Sequence, residues 1–188
     1  MESIATWVAP VATTIAALMT ASNLGSRITG YGFVVFTIGS LAWLALGITT
    51  GQANLLWQNI ILTALNLFGI WRWLGRQARI EDGGNQAQQE SADLPGETLF
   101  PASLFTKAKV EGAGGTDLGT AVEAMLGCVS GRPTYVVVAE GGVAGVGETL
   151  RRVEWKAARV EGDRLVTTLS TDGFAKAPEL TKDQWPGR

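Results

Sequence analysis

Charged side chains are distributed very unevenly along this chain. Between Ser3 and Trp71 the only charged side chain is Arg27, whereas the sequence from Arg72 onward carries nearly all the Lys, Arg, Asp and Glu. Ionisable side chains are costly to place inside a bilayer, so membrane-embedded segments contain few of them. The sequence therefore predicts a membrane half, residues 1–76, followed by a water-soluble half.

Three apolar runs lie in the first half, at residues 4–22, 31–49 and 53–72. Each is close to the roughly 20 residues that an α-helix needs to cross a hydrocarbon core of about 30 Å. The breaks between them are short, which predicts an up-down-up bundle of three transmembrane helices. A cleaved signal peptide is the alternative for the first run. Signal peptides begin with a basic region, whereas the only charged residue before this run is Glu2, so the sequence disfavours a signal peptide.

Basic residues near the ends of these runs predict the orientation. Arg72, Arg76 and Arg79 follow the third run, and Arg27 lies in the first break. Because Lys and Arg accumulate on the cytoplasmic side, we expect the N-terminus outside and the C-terminal half in the cytoplasm, at a bacterial inner membrane. The sequence has no His and a single cysteine, Cys128, which fits a cytoplasmic soluble half without disulfides and predicts no metal site.

Small and polar residues predict how the helices pack. In the first run a small residue recurs every fourth position, which predicts a helix-packing ridge formed by Ala5, Ala9, Thr13, Ala17 and Ala21. In the third run a polar stripe is formed by Asn59, Thr63 and Asn66, and it should face protein or water instead of lipid. Three helices shelter such a stripe poorly, so we expect a homo-oligomer, a dimer or larger.

A resemblance to the second and third helices of the SemiSWEET/PQ-loop family of sugar transporters is carried by the stretch GSLAWLALGITTGQANLLWQNIILTALNLFGIWRWL. That family uses three-helix protomers, with a Trp of the second helix and an Asn of the third lining a pocket between two protomers. Trp43 and Asn59 match this pair in type and order. The resemblance implies that Trp43 stacks on a sugar-like face and that Asn59 hydrogen-bonds a hydroxyl group.

The first helix departs from that family. Its members carry a Pro-Gln pair near the cytoplasmic end of the helix, as a hinge for alternating access, and the corresponding stretch here reads AALMTASNLG. The alternative interpretation is structural: Asn59, Thr63 and Asn66 form hydrogen bonds between helices, and Trp43 is a core or interfacial aromatic residue.

The second half begins with a polar connection. Residues 77–96 read QARIEDGGNQAQQESADLPG, a composition that predicts a flexible linker. Between residues 97 and 180, short β-type runs alternate with Gly-rich turns, and residues 181–188 form a tail. We expect strands at residues 108–111, 118–126, 134–139, 148–155 and 164–169, with a short addition at 157–160. The apolar run at residues 135–138 predicts a central strand covered on both faces. Such a set of strands predicts a small antiparallel β-barrel.

A resemblance to the PRC-barrel family is carried by the stretches FPASLFTKAKVEG, DLGTAVEAMLGCVSGRPTYVVVAEGG, GVGETLRRVEW and DGFAKAPEL. They cover most of residues 103–180. The resemblance implies a β-barrel that serves as an adaptor module, as in the H subunit of photosynthetic reaction centres and in a ribosome-maturation factor. The family shares no catalytic residues, so the resemblance assigns none here.

Two features of the second half could have indicated ligand binding. Gly-rich segments beginning at Gly112 and Gly145 start like dinucleotide-binding fingerprints, but both lack the third glycine and neither opens a predicted helix, so we interpret them as hairpin turns. A basic group is interleaved with glutamates at residues 148, 154 and 161, which is typical of a solvated mixed-charge face; its members are Arg151, Arg152, Lys156 and Arg159.

Two functions follow from these patterns. No acid–base pair and no nucleophile with a base stands out, so we expect a non-enzymatic protein without a cofactor, and the formal net charge of −2 gives no reason to expect nucleic-acid binding. In the first function, helices in contact with membrane lipids anchor and dimerise the protein, and the barrel docks a protein partner of a membrane complex. In the second, the helices form a homodimeric small-solute transporter with a regulatory barrel.

Overall fold

The computed structural model describes residues 2–22, 24–142 and 146–187, apart from the side chains of residues 2, 3 and 5. The chain divides into two compact units, Met1–Gln86 and Ala87–Arg188. The first unit is helical, and the second is built on a β-sheet. At this coarse level, a helical region followed by a mostly antiparallel sheet, the fold agrees with the sequence-based prediction.

The helical unit begins with α1 (Glu2–Ala21), α2 (Ser26–Thr49) and α3 (Ala53–Ile70). A π-helical segment, Trp71–Gln77, follows α3 directly and leads into α4 (Ala78–Ala92). The helix α2 packs extensively against both α1 and α3.

Glycines of α2 allow this close packing. A Cβ atom added at Gly32 would lie 2.8 Å from Thr20 Cγ2 of α1, and one added at Gly47 would lie 3.0 Å from the backbone nitrogen of Leu56 in α3. Real Cβ atoms essentially never approach heavy atoms closer than 3.0 Å, and a contact of 3.0 Å is tighter than nine in ten real ones. The absence of a side chain at these positions therefore lets the helix backbones come together.

Among the residues that the structure describes, two helical stretches are long and apolar enough to cross a membrane: Ser26–Thr49, with 24 residues, and Ala53–Ala92, with 40 residues. A shorter apolar helical stretch occupies Thr6–Ala21. By length and composition, the helices of the second and third predicted spans are therefore compatible with a membrane location. A membrane crossing by the first helix stays a prediction.

The segment predicted as a flexible linker is mostly helical. Gln77 ends the π-helical segment and α4 covers Ala78–Ala92, so only residues 93–96 of the predicted linker lie outside a helix. Two physical reasons account for the difference. The segment is rich in Ala, Gln, Glu and Arg, which favour helix, and it continues an existing helix, so it needs no costly nucleation. The Gly83–Gly84 pair lowers the helical preference by about 1 kcal/mol per residue without ending the helix.

The described part of the second unit contains one seven-stranded sheet with the strand order β5-β6-β1-β2-β3-β4-β7. The strands are β1 (Lys109–Glu111), β2 (Asp117–Leu126), β3 (Pro133–Glu140), β4 (Thr149–Glu154), β5 (Ala158–Glu161), β6 (Arg164–Thr167) and β7 (Glu179–Leu180). Neighbouring strands are antiparallel, except that β1 and β6 are parallel. The sheet is open, with β5 and β7 at its edges, and closure into a barrel stays a prediction.

Six of these strands agree with the sequence-based prediction to within two residues at either end, and the two-residue β7 was not predicted. The central strand is β3. Its side chains alternate between the faces of the sheet: Val136 and Val138 belong to one hydrophobic cluster, and Tyr135, Val137 and Ala139 belong to another. All five are buried. The prediction of a central strand covered on both faces is therefore confirmed.

Candidate functional site

The helical unit contains a cavity of about 450 Å³ between its three main helices. Its walls are uncharged and combine aromatic, aliphatic, hydroxyl and amide side chains. The lining residues are Thr13, Phe33, Phe36, Ser40, Trp43, Leu55, Gln58, Asn59, Leu62 and Asn66. We refer to this cavity as the helical pocket.

Three of the four residues proposed from the sequence as pocket or interhelical contacts line this pocket. They are Trp43 from α2 and Asn59 and Asn66 from α3. The fourth, Thr63, is not among the lining residues. Its hydroxyl donates a 2.7 Å hydrogen bond to the carbonyl oxygen of Asn59, one turn earlier in the same helix. Thr63 therefore satisfies its polar group locally, as hydroxyls in apolar helices commonly do.

The two asparagines are held in different ways. Asn66 donates a 3.0 Å hydrogen bond from Nδ2 to Ser40 Oγ of α2, which links two helices. Asn59 donates a 2.9 Å hydrogen bond from Nδ2 to the carbonyl oxygen of Leu55 within α3. A carboxamide has two donor hydrogens and an acceptor oxygen, so Asn59 retains hydrogen-bonding capacity at the pocket wall.

This arrangement suits an uncharged, amphipathic occupant. The aromatic rings of Phe33, Phe36 and Trp43 offer flat apolar surface, and Asn59 and Gln58 offer amide groups. Pockets for small molecules typically combine apolar walls with a few polar groups that fix orientation. A polar side chain of a neighbouring membrane helix would meet the same requirements.

From the wall of the pocket that α2 forms, the sequence-based prediction included Trp43 but not Phe33, Phe36 or Ser40. Phe33, Phe36, Ser40 and Trp43 are spaced by three, four and three residues, which places them on one face of α2. This spacing is visible in the sequence. It does not single out the face, because mostly apolar residues surround the four and no hydrophobic contrast marks one side of α2.

The predicted ridge of α1 is only partly buried. Ala9 is buried and Thr13 is half-buried, whereas Ala17 and Ala21 are exposed, and the side chain of Ala5 lies outside the described residues. The buried face of α1 instead runs through Ala9, Ala12 and Ala16. A row of residues four apart drifts around a helix with 3.6 residues per turn, whereas positions spaced by three and four stay on one side.

In the second unit, the first Gly-rich segment forms a turn between β1 and β2. The backbone nitrogen of Gly112 donates a 2.8 Å hydrogen bond to the carbonyl oxygen of Thr116, and β1 and β2 pair in antiparallel fashion. Its interpretation as a hairpin turn is therefore confirmed. The second segment begins at Gly145, which lies outside the described residues. A cavity of about 470 Å³ lies beside the first turn, and its charged lining residues are Glu111, Arg159 and Glu161. Two carboxylates against one guanidinium do not favour an anionic ligand.

The basic group of the second unit is largely paired with carboxylates. Arg151 lies 2.6 Å from Glu140, Arg152 lies 2.7 Å from Glu154, and Arg159 lies 2.6 Å from Glu161. The guanidinium of Arg152 also lies 4.4 Å from the centre of the Tyr135 ring. These contacts agree with a mixed-charge face. The side chains of Arg151 and Arg152 are only 16% and 15% exposed, however, so the prediction of a solvated face is wrong for these two residues.

An exposed apolar tip ends the hairpin formed by β2 and β3. Met125 and Leu126 are 41% and 46% exposed, Val129 is fully exposed, and Cys128 is exposed. We call these four residues the apolar tip. Their exposure is notable because an exposed apolar cluster commonly marks an interaction site.

Comparisons with known proteins give no assignment for these features. The chain matches no protein-family model, and no curated protein matches it.

Proposed function

We propose that this chain is an integral membrane protein that self-associates through its helices and docks a protein partner through its β unit. The observation that carries the proposal is the distribution of side chains in the helical unit. Large apolar side chains point outward, as at Trp57, Ile61 and Phe68, whereas Ser40, Asn59 and Asn66 are buried. Exposed apolar side chains with buried polar ones suit a hydrocarbon environment and are unfavourable in water.

The proposed topology has three spans, including α1, with the N-terminus outside. The stretch Thr6–Ala21 is short for a span, but α1 as a whole covers 20 residues, about 30 Å at 1.5 Å per residue. Arg27 near the start of α2 and Arg72, Arg76 and Arg79 after α3 would all lie on the cytoplasmic side. The β unit would then be cytoplasmic, at a bacterial inner membrane.

The helical pocket supports self-association. It is lined by amide and hydroxyl groups, and lipid chains offer no hydrogen bonds to them. A second copy of the unit could supply both apolar contact and polar partners for Asn59 and Gln58. We therefore propose that the pocket faces a second protomer, which forms a homo-oligomer.

The resemblance to the PRC-barrel family and the apolar tip support a docking role for the β unit. An adaptor of this kind needs a surface that recognises its partner, and the apolar tip provides exposed Met, Leu and Val side chains at the end of the β2–β3 hairpin. The proposed role requires no chemistry and no cofactor, in keeping with a sequence that has no His.

A transporter is the second candidate, and one observation favours it. Trp43 and Asn59, the pair that matches the sugar-binding residues of the SemiSWEET family, line the same pocket. In this alternative the pocket between two protomers would hold a sugar-like solute, and the β unit would be regulatory.

Partner capture with matched variants tests the docking proposal. The tagged full-length chain is extracted in mild detergent, and the proteins that copurify with it are quantified by mass spectrometry. Leu126→Glu and Val129→Glu should each remove the specific partner, because a charge at the tip opposes burial. Leu94→Glu is the matched control, since Leu94 is 65% exposed but lies outside the tip. Equal capture by all variants would contradict docking through the tip.

A further inference from the structure

The outward face of the helix that leaves α3 carries three arginines. Over residues 71–80 the exposed residues are Trp71, Arg72, Arg76, Arg79 and Ile80, whereas Trp73, Leu74, Gln77 and Ala78 are partly or fully buried. The buried side packs against α2, where Leu74 lies against Gly30. We call Arg72, Arg76 and Arg79 the arginine face.

Nearby acidic residues leave this face with a net positive charge. Asp82 accepts two hydrogen bonds, of 2.8 and 2.9 Å, from Arg27 Nη2. Glu81 accepts a 2.9 Å hydrogen bond from Ser26 Oγ. Arg27 thus neutralises Asp82, whereas the hydroxyl of Ser26 directs the carboxylate of Glu81 toward the first turn of α2 without neutralising its charge. In the described part of the chain, Arg72, Arg76 and Arg79 form no ion pair.

The position of the face follows from the helix that precedes it. The apolar helix α3 ends at Ile70, Trp71 is 59% exposed, and the arginines follow at once. Tryptophan settles at the boundary between hydrocarbon and headgroups, so the arginines fall at the depth of the lipid phosphates. Guanidinium groups match phosphate geometry with paired hydrogen bonds.

We propose that the arginine face binds the headgroups of anionic phospholipids at the cytoplasmic surface of the membrane. This inference rests on the membrane location proposed above. Lipid is favoured over a soluble phosphate because the face continues directly from an exposed apolar surface, at Trp71 and Phe68, which can hold acyl chains. A soluble anion would use the arginines alone.

Competition between lipids in nanodiscs tests the proposal. The full-length chain is reconstituted in equimolar phosphatidylglycerol and phosphatidylcholine, and the lipids retained by the protein are counted by native mass spectrometry. Each basic residue near an anionic surface is worth about a fivefold preference, so three set an upper limit of roughly a hundredfold. We expect phosphatidylglycerol to be enriched at least about tenfold in this experiment. The variant Arg72→Gln/Arg76→Gln/Arg79→Gln should lose most of this enrichment.

A matched control separates the arginine face from total charge. The variant Lys109→Gln/Arg132→Gln/Lys176→Gln removes the same charge from exposed positions of the β unit and should keep the enrichment. Equal losses in both variants, or no loss in the first, would overturn the proposal. Displacement of phosphatidylglycerol by millimolar inorganic phosphate would also overturn it, since the ligand would then be a soluble anion.

Flotation distinguishes this inference from the membrane proposal. A chain that does not float with vesicles of phosphatidylcholine alone would contradict the membrane location itself. A chain that floats with these vesicles but shows no preference for phosphatidylglycerol would contradict only the arginine face.

Discussion

Asn66 of α3 and Ser40 of α2 are joined by a hydrogen bond of 3.0 Å, and both residues are buried. The amide is the donor and the hydroxyl oxygen is the acceptor. Each residue would be unfavourable in hydrocarbon without its partner. The bond therefore selects which face of α3 meets α2 and, with it, the side on which Asn59 and Trp43 meet at the helical pocket.

A double-mutant cycle should detect this bond. We expect Ser40→Ala and Asn66→Ala to be coupled by about 0.6 kcal/mol, and by no more than about 1.7 kcal/mol, the range for hydrogen bonds between membrane helices. The free energy of unfolding is measured for the full-length chain in bicelles by titration with a denaturing detergent.

A control cycle uses two exposed polar residues that no hydrogen bond joins in the described structure. The hydroxyl of Thr14 donates a hydrogen bond to the carbonyl oxygen of Pro10 within α1, and Asn54 is exposed at the start of α3. Thr14→Ala and Asn54→Ala should be additive. Additivity in the Ser40 and Asn66 cycle as well would show that the bond does not contribute to stability.

Neighbouring alanines of α1 should respond differently to enlargement. Ala16 is fully buried, and its carbonyl oxygen lies 3.3 Å from where a Cβ of Gly32 would be. Ala16→Leu should therefore destabilise the packing of α1 on α2 by roughly 1–3 kcal/mol. Ala17 is exposed, so Ala17→Leu should leave the stability of the single chain nearly unchanged.

Crosslinking in detergent measures dimer formation separately for the Ala16→Leu and Ala17→Leu variants. If the predicted ridge at Ala17 and Ala21 contacts a second protomer, Ala17→Leu should lower the fraction of chain recovered as crosslinked dimer without lowering the free energy of unfolding of the single chain. Equal destabilisation by Ala16→Leu and Ala17→Leu would contradict the helix orientation described above.

The strand positions could be predicted from the sequence, because β-strands there alternate with glycine-rich turns. The turn at Gly112 separates β1 from β2, and the continuous apolar run of β3 indicates burial on both faces. The two-residue β7 could not be predicted. It is defined by its pairing with β4, where Leu180 lies opposite Leu150, and such a contact leaves no local pattern.

The faces of α1, α2 and α3 were harder to predict. In water, the buried face of a helix is apolar and the exposed face is polar, so the period reveals it. In α1 and α2 both faces are apolar, and that contrast is absent. The polar residues of α3 gave a direction, which is why Asn59 and Asn66 could be proposed for the pocket from sequence while Phe33 and Phe36 could not. The row of small residues in α1 also gave a direction, but the buried residues Ala12 and Ala16 do not lie on that row.

Gly119 should be essential for the β unit. Its φ is +129°, and an added Cβ atom would collide with the carbonyl oxygen of Ala139 in the neighbouring strand. Gly119→Ala should therefore destabilise the sheet by several kcal/mol, because strain and a backbone clash combine. Proteolysis of the full-length chain in increasing urea measures the loss.

Gly131 is the matched control for Gly119. Its φ is +67°, but an added Cβ atom would meet open space, so Gly131→Ala should cost only about 1–2 kcal/mol for the left-handed conformation. A loss at Gly119 as small as the loss at Gly131 would contradict the close approach of β2 and β3.

Cys128 offers a direct test of the orientation. It is the single cysteine of the sequence and is exposed, so a maleimide can reach it wherever the reagent has access. With the β unit in the cytoplasm, a membrane-impermeant maleimide should leave right-side-out vesicles unlabelled until detergent is added. A variant carrying an additional cysteine in the short connection after α2, Thr50→Cys, should be labelled in intact vesicles. Labelling of Cys128 in intact vesicles would reverse the proposed topology.

Transport assays separate the two candidate functions. We expect the purified chain in liposomes to give no uptake of a labelled mono- or disaccharide above empty liposomes, because α1 lacks the Pro-Gln hinge that would open the two ends of the pocket in turn. Trp43→Ala and Asn59→Ala should instead weaken the oligomer, since both side chains line the proposed interface. The matched controls are Trp57→Ala and Asn54→Ala, at exposed positions outside the pocket.

If uptake does occur, losing one stacking face or one hydrogen bond should reduce sugar binding by about 1–2 kcal/mol, roughly five- to thirtyfold. Uptake that depends on Trp43 and Asn59 but not on the control residues would make transport the primary function and docking by the β unit secondary.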